Sequence, residues 1–298
     1  MPIHHSPEDI RDRLHLNHQD VVALNFIRNP GIYHYRRHYR AGLRSHIMEV
    51  LDFGDLENET KGIITHGLRW YPRAEPRKML RIFRIRFKSL VEAEEEIERV
   101  KIIQTYLAPD YLANTEEFLV DYIRQGKREI LLCGLQEYVE GEVVEPWNYL
   151  DQDHLISLLY RMGLKKGKDS VRAAHQWILT VRKKTEDFIL RIKRMILEAD
   201  HIPDLAGAGN LLLTRSGDIK LVDINNISVV SFDPIIPIDD KGYPVCDKSI
   251  EALYLLEQKI LGRSAHAEDH IYKTFLDPER MSTVKKLQER FHRSINPA

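Results

Sequence analysis

His201-Ile-Pro-Asp-Leu-Ala-Gly-Ala-Gly-Asn210, then Leu211-Leu-Leu-Thr-Arg-Ser-Gly-Asp-Ile-Lys-Leu-Val222, then Asp223-Ile-Asn225, is the stretch on which the reading of this chain turns. Two apolar runs, Leu211 to Leu213 and Ile219 to Val222, flank Arg215-Ser-Gly-Asp218. A turn with glycine where positive φ is needed predicts a β-hairpin there. Asp204 and Asn210 precede its first strand and Asp223 follows its second, so three oxygen-bearing side chains fall at one end of the hairpin. Carboxylate and amide oxygens of this kind suit Mg²⁺. Without a metal, Asp204 and Asp218 read as turn residues and Asp223 as the end of a strand.

Before this stretch the pattern is helical. Asp153 to Met162 predicts one helix, and Val171 to Ala199 a long one, in which Trp177, Val181, Phe188, Ile192 and Met195 recur at helical spacing. A basic loop, Lys165-Lys-Gly-Lys168, joins them. Beyond the hairpin, Pro234, Pro237 and Pro244 punctuate an extended stretch before helical patterns resume at Ser249 to Leu261 and Ser282 to Ile295.

The first half reads differently. Ile47 to Phe53, Gly62 to Trp70 and Met79 to Phe87 predict three antiparallel strands, and Leu90 to Tyr106 a helix with Glu96, Val100, Ile103 and Leu107 on one face. Phe118 to Ile123 and Ile130 to Tyr138, on either side of a charged turn, add two strands. A five-stranded sheet with one helix after its third strand, followed by helices with one hairpin, predicts an α+β chain of two unlike lobes rather than an alternating sheet. The expected organisation is an N-terminal extension (1–45), a sheet lobe (46–141) and a helical lobe (142–298). In the extension, Pro7 to Ile10 looks like a short helix capped by Ser6.

Composition narrows the class. Hydrophobic residues are 43% and charged residues 30% of the 298, too apolar for a disordered chain. Lysine plus arginine (44) nearly balances aspartate plus glutamate (45), so the chain as a whole does not advertise a polyanion partner. Two cysteines without metal or CxxC spacing suggest neither a disulfide framework nor zinc, and a reducing cytoplasm is expected. No apolar run approaches the ~18 residues of a membrane span, and Met1 to Asp9 lacks the pattern of a secretion signal.

The stretch from Asp204 to Asp223 resembles the protein kinase superfamily, in a bacterial-type form with degenerate motifs. That family's catalytic loop places an aspartate before an asparagine, and its DFG-type aspartate follows a short hairpin. The resemblance implies a protein-kinase-like bilobal fold: a five-stranded antiparallel N-lobe sheet with one helix and a mainly helical C-lobe. It implies Asp204 as the catalytic carboxylate, Asn210 as a metal ligand and Asp223 as the principal metal ligand, with ATP and Mg²⁺ as cofactors. Leu131-Leu-Cys-Gly-Leu-Gln-Glu-Tyr-Val-Glu-Gly141 resembles the family's fifth strand and hinge, so Glu137, Tyr138 and Val139 would meet adenine through the backbone. Arg81 falls where the family's strand lysine contacts phosphate, with Glu96 as its helix partner and Glu95 as the fallback, and Lys88 would take the place of Arg81 in another register. Asp247 resembles the aspartate that supports the catalytic loop from a core helix, or is a helix N-cap.

Departures from the family pattern are equally specific. Asp204 and Asn210 stand one residue farther apart than usual, Ala206-Gly-Ala-Gly209 carries no lysine, and Asp223-Ile-Asn225 lacks the DFG glycine. His201 and Pro203 break the His-Arg-Asp pattern, His201 reading as a packed histidine, and Phe53 to Gly62 offers acids where a glycine-rich phosphate loop is expected.

Three functions follow. The first is an ATP/Mg-dependent phosphotransferase acting on a protein or small-molecule hydroxyl. The second is a pseudokinase, a nucleotide-sensing or scaffold protein. The third is nucleic-acid binding through Tyr33-His-Tyr-Arg-Arg-His-Tyr-Arg40, where aromatics interleave with arginines, although a solvated helix face explains those residues more simply.

Overall fold

A computed structural model describes residues 9–29, 31–39, 42, 44–164, 170–263 and 269–295. The expected helix cap at Ser6, the basic loop 165–168 and Arg40 lie outside the described residues. The chain divides into two compact units: residues 1–98 with 114–138, and residues 99–113 with 139–298. Its class is mixed α+β. Among the described residues no helix is long and apolar enough to cross a membrane.

The first unit opens with the short helix α1 (His18–Val22), whose Asn17 and Asp20 cap each other's backbone N–H groups in a capping box. Strands β1 (Tyr33–Arg37) and β2 (Ser45–Asp52) follow, then helix α2 (Phe53–Lys61), the pair β3 (Ile63–Thr65) and β4 (Leu68–Trp70), and strand β5 (Lys78–Phe83). Helix α3 (Leu90–Leu107) leads to β6 (Thr115–Arg124) and β7 (Lys127–Glu137), and the boundary between the units falls within α3, after Glu98. A five-stranded antiparallel sheet runs in the order β1-β2-β5-β7-β6. On one face Tyr35, Val50, Leu80 and Ile82 pack with Ile10, Leu16, Val21 and Leu24 of the N-terminal segment.

Four expectations are corrected in this unit. The sheet has five strands, but its first is β1, and Gly62 to Trp70 is not a sheet strand. That run reverses at His66 and Gly67, both with positive φ (52° and 77°), giving two three-residue strands whose side chains are all exposed. Phe53 to Lys61 is helix rather than loop: the Asp52 side chain accepts the Gly54 N–H as N-cap, and Lys61 pairs with Glu57 one turn back. The described residues between 9 and 45 pack into this unit rather than apart from it, because they supply β1 and five of the twelve buried residues of this core. Tyr33 to Arg37 is a strand and no solvated helix. Tyr35 is buried and Arg36 is held by Glu49 (2.7 Å) and Glu59 (2.8 Å), while Tyr33, Arg37 and Tyr39 are exposed.

In the second unit, β8 (Glu142–Val143) precedes α4 (Gln152–Arg161), capped by Asp151, and the thirty-residue helix α5 (Ser170–Ala199). Strands β9 (His201–Pro203), β10 (Leu211–Leu213), β11 (Ile219–Leu221) and β12 (Ile227–Val229) come next, then helices α6 (Val245–Leu261), α7 (His270–Phe275) and α8 (Pro278–Ile295). The periodic residues of α5 are its buried stripe, as the spacing predicts, and Phe188 and Ile192 are fully enclosed. Burying each such side chain stabilises the fold by about 1.5–3 kcal/mol. The predicted hairpin is present as β10 and β11, extended by β8 on the other edge of β10. Gly217 takes the positive φ (81°) of its turn, and a Cβ there would also press on Thr180.

Candidate functional site

Two short ladders bring the residues of interest together. In one, β9 pairs with β12 so that Pro203 lies opposite Ile227. The next residues outward are Asp204 and Asn226, and the Asn226 amide donates to Asp204 Oδ2 (3.2 Å). In the other, Leu211 lies opposite Leu221, and one step outward the Val222 N–H donates to the Asn210 carbonyl (2.9 Å). Asp223 is the next residue. Asp204, Asn210 and Asp223 thus stand where two strand pairs end, which the hairpin alone could not establish.

The loop between Asp204 and Asn210 is fixed by its own backbone. Asp204 Oδ1 accepts the N–H groups of Ala206 (2.9 Å) and Gly207 (2.8 Å). The Asn210 side-chain nitrogen donates to the Asp204 carbonyl (2.8 Å), so its oxygen remains the free end of the amide. Gly207 makes this approach possible: a Cβ on it would stand 2.3 Å from the Asn210 nitrogen. From outside the loop, Glu145 accepts the Gly209 N–H (3.1 Å) and Ser249 Oγ accepts the Leu205 N–H (3.1 Å). Three of these bonds, at Ala206, Gly207 and Gly209, hold the Ala-Gly-Ala-Gly segment that composition alone reads as flexible.

The electrostatics follow from this crowding. Burial pushes the Asp204 carboxyl up to about 6, and the Asp223 charge adds to the rise, while hydrogen bonds from Asn226, Ala206 and Gly207 pull the other way. With the Asp223 charge raising the cost of ionising Asp204, the two carboxyl groups and the Asn210 amide oxygen form an all-oxygen set short of positive charge. That donor set fits Mg²⁺, which takes one or two carboxylates and completes its shell with water and phosphate oxygens. Asn210 and Asp223 would hold it, and among the described residues no cluster of three His, Cys, Asp or Glu side chains competes for a metal. Asn225 braces Asp223, donating its amide to Oδ1 (3.1 Å).

The other expected site residues lie elsewhere in the chain. Arg81 is buried on β5, in a row across the sheet with Ile47, Gly134 and Glu117. Gly134 leaves this row open, and burial pushes the Glu117 carboxyl up while Thr115 and the Arg81 charge hold it down. Sequence reading missed Glu117; the glycine between two apolar neighbours in β7 was its signal. On α3, Glu96 is half-buried and Glu95 exposed, and Lys88 lies beyond the end of β5. Glu137 closes β7, its N–H bonded to the Asn114 carbonyl (2.8 Å), and Tyr138 and Val139 follow outside any helix or strand.

Asp247 is neither a helix cap nor the support of the loop. It sits inside the first turn of α6, almost fully buried, and binds Arg280 through both oxygens (2.5 and 3.2 Å). The helix residue that holds the loop is Ser249, two positions on. Asp218 is the turn residue it was read to be, bonded to Lys184 and Ser216. His201 is only half-buried, its Nδ1 against the Ala199 carbonyl, and is no packed core histidine. Compared with protein-family models and with curated proteins, the chain matches none.

Proposed function

We propose that the chain is an ATP- and Mg²⁺-dependent phosphotransferase of the protein-kinase-like kind, acting on a hydroxyl. The observation that carries this reading is the common end of two ladders, where Asp204, Asn210 and Asp223 meet and the Asn210 nitrogen is tied to the Asp204 carbonyl. An acceptor hydroxyl donates to the Asp204 carboxylate, which takes its proton as the oxygen bonds to the γ-phosphorus and the bond to the ADP oxygen breaks. Bound at Asn210 and Asp223, Mg²⁺ would supply charge neutralisation for the phosphates. Arg81, with Glu96, is assigned to phosphate, and the backbone of Glu137, Tyr138 and Val139 to adenine.

The sheet supports the reading in a way the sequence did not suggest. Helix α3 comes between the third and fourth strands, as the resemblance implies, while α2 between the second and third is a helix the resemblance does not imply. The connection between the first two sheet strands is His38-Tyr-Arg-Ala-Gly-Leu-Arg44, which carries arginines and no acid. The acids of Phe53 to Lys61, which would repel phosphate, belong to α2 instead.

A nucleotide-binding pseudokinase is the second reading, favoured by one observation: no cationic side chain lies between Asp204 and Asn210. Measuring ADP formation with Mg²⁺ and ATP separates the two. The phosphotransferase reading expects slow ADP formation that Asp204→Ala lowers at least about 100-fold while ATP still raises the melting temperature. ADP formation equal in wild type and Asp204→Ala contradicts it, and ATP stabilisation with no turnover in either selects the pseudokinase.

A further inference from the structure

Helices α6 and α8 and the segment around Trp147 enclose a cavity of about 490 Å³. That size is within the range of small-molecule sites. Its wall is apolar along Phe275, Met281 and Val284. Trp147, 38% exposed, closes one side, with the Lys248 ammonium over its ring at 4.8 Å. Charges on the wall are unequal in how they are satisfied. Lys248, itself almost fully buried, is paired with Glu251 (2.5 Å), and Asp247 with Arg280. Lys285 lines the cavity and finds no carboxylate partner among the described residues. Both acids are therefore neutralised, and the remaining charge is positive.

Helix α6 and the segment around Trp147 contribute to both the cavity wall and the support of the Asp204 loop. Ser249, which accepts the Leu205 N–H, follows Asp247 and Lys248 of the cavity wall on the same turn of α6. Glu145, which accepts the Gly209 N–H, is two residues from Trp147.

We infer that this cavity binds a small organic anion with an apolar or aromatic body, its carboxylate beside Lys285 and its body between Trp147 and Met281. If the ligand bears a hydroxyl, it is the phosphate acceptor, a step that rests on the phosphotransfer reading above.

Three probes share one body and differ in charge: 3-(4-hydroxyphenyl)propanoate, 3-(4-hydroxyphenyl)propan-1-ol and tyramine. Calorimetric titration of the full chain should rank them anion, alcohol, amine, with about tenfold between the ends, equivalent to ~1.4 kcal/mol. Lys285→Glu should reverse that order and Met281→Trp should abolish binding of all three. Both side chains are exposed, so unchanged melting temperatures will show that the variants fold. Equal affinities, no binding, or an order unmoved by Lys285→Glu overturns the inference, whatever the ADP assay gives. The expected order without ADP formation supports the anion site and counts against its role as acceptor site.

Discussion

Asp204→Asn is expected to raise the melting temperature of the ligand-free protein and at the same time to abolish the phosphate transfer proposed for it. The carboxyl is held near 6 by burial and by the Asp223 charge, against 3.8 for an ordinary aspartate. Between those two values the folded chain holds a proton that the unfolded chain releases. Stability is therefore lost as pH rises from about 4 to about 6 and stays lost above that. Asparagine removes this cost. The gain should be absent below about pH 4, grow to about pH 6 and then level off. Allowing for solvent screening at a half-buried group, it should reach about 2 kcal/mol, or about 5 °C. Melting curves from pH 4 to 8 check it. An Asp204→Asn protein no more stable than wild type at pH 7 would mean that the two carboxylates do not burden one another.

Arg280→Met should strongly destabilise the second unit. It strands Asp247, 2% exposed, without its ion-pair partner, and also removes the bond from Arg280 to the Asp233 carbonyl (2.7 Å) and the stacking over Phe275. Removing one member of a buried pair costs about 3–5 kcal/mol, because the other charge stays buried. Denaturant titration should show a loss of that size, and adding Asp247→Asn should recover a large part of it. A loss below about 1 kcal/mol, or no recovery in the double variant, would show that Asp247 is not buried as charge.

What could be read from the sequence was local and periodic. The stripe of α5 and the hairpin turn at Gly217 declare themselves by spacing, because one face of a long helix or one glycine decides the local structure. Where punctuation competes with composition, the reading failed. Asp52 before Phe53-Gly-Asp is an N-cap signal, but the glycine and acids of that run read as loop. His66-Gly67 is a hairpin turn inside what reads as one strand. The first strand, Tyr33 to Arg37, was hidden because Arg36 satisfies its charge on β2 and α2.

The candidate site was legible for the same reason and to the same extent. Asp204, Asn210 and Asp223 are fixed by their distance from one hairpin. Ser249 and Glu145, which hold the loop, sit far along the chain, and no spacing rule connects them to it. Asn225 and Asn226 were adjacent and visible. Their role needed the β9–β12 pairing, which three-residue strands do not announce.

The account depends on a divalent ion being held between Asn210 and Asp223 together with a nucleotide. Manganese in place of magnesium reports this directly, through the relaxation of water protons during titration with ATP. Wild type should bind the manganese–ATP complex at least about tenfold more tightly than Asp223→Asn, a difference of ~1.4 kcal/mol. Equal manganese–ATP affinity in the two proteins would contradict the assignment of this site.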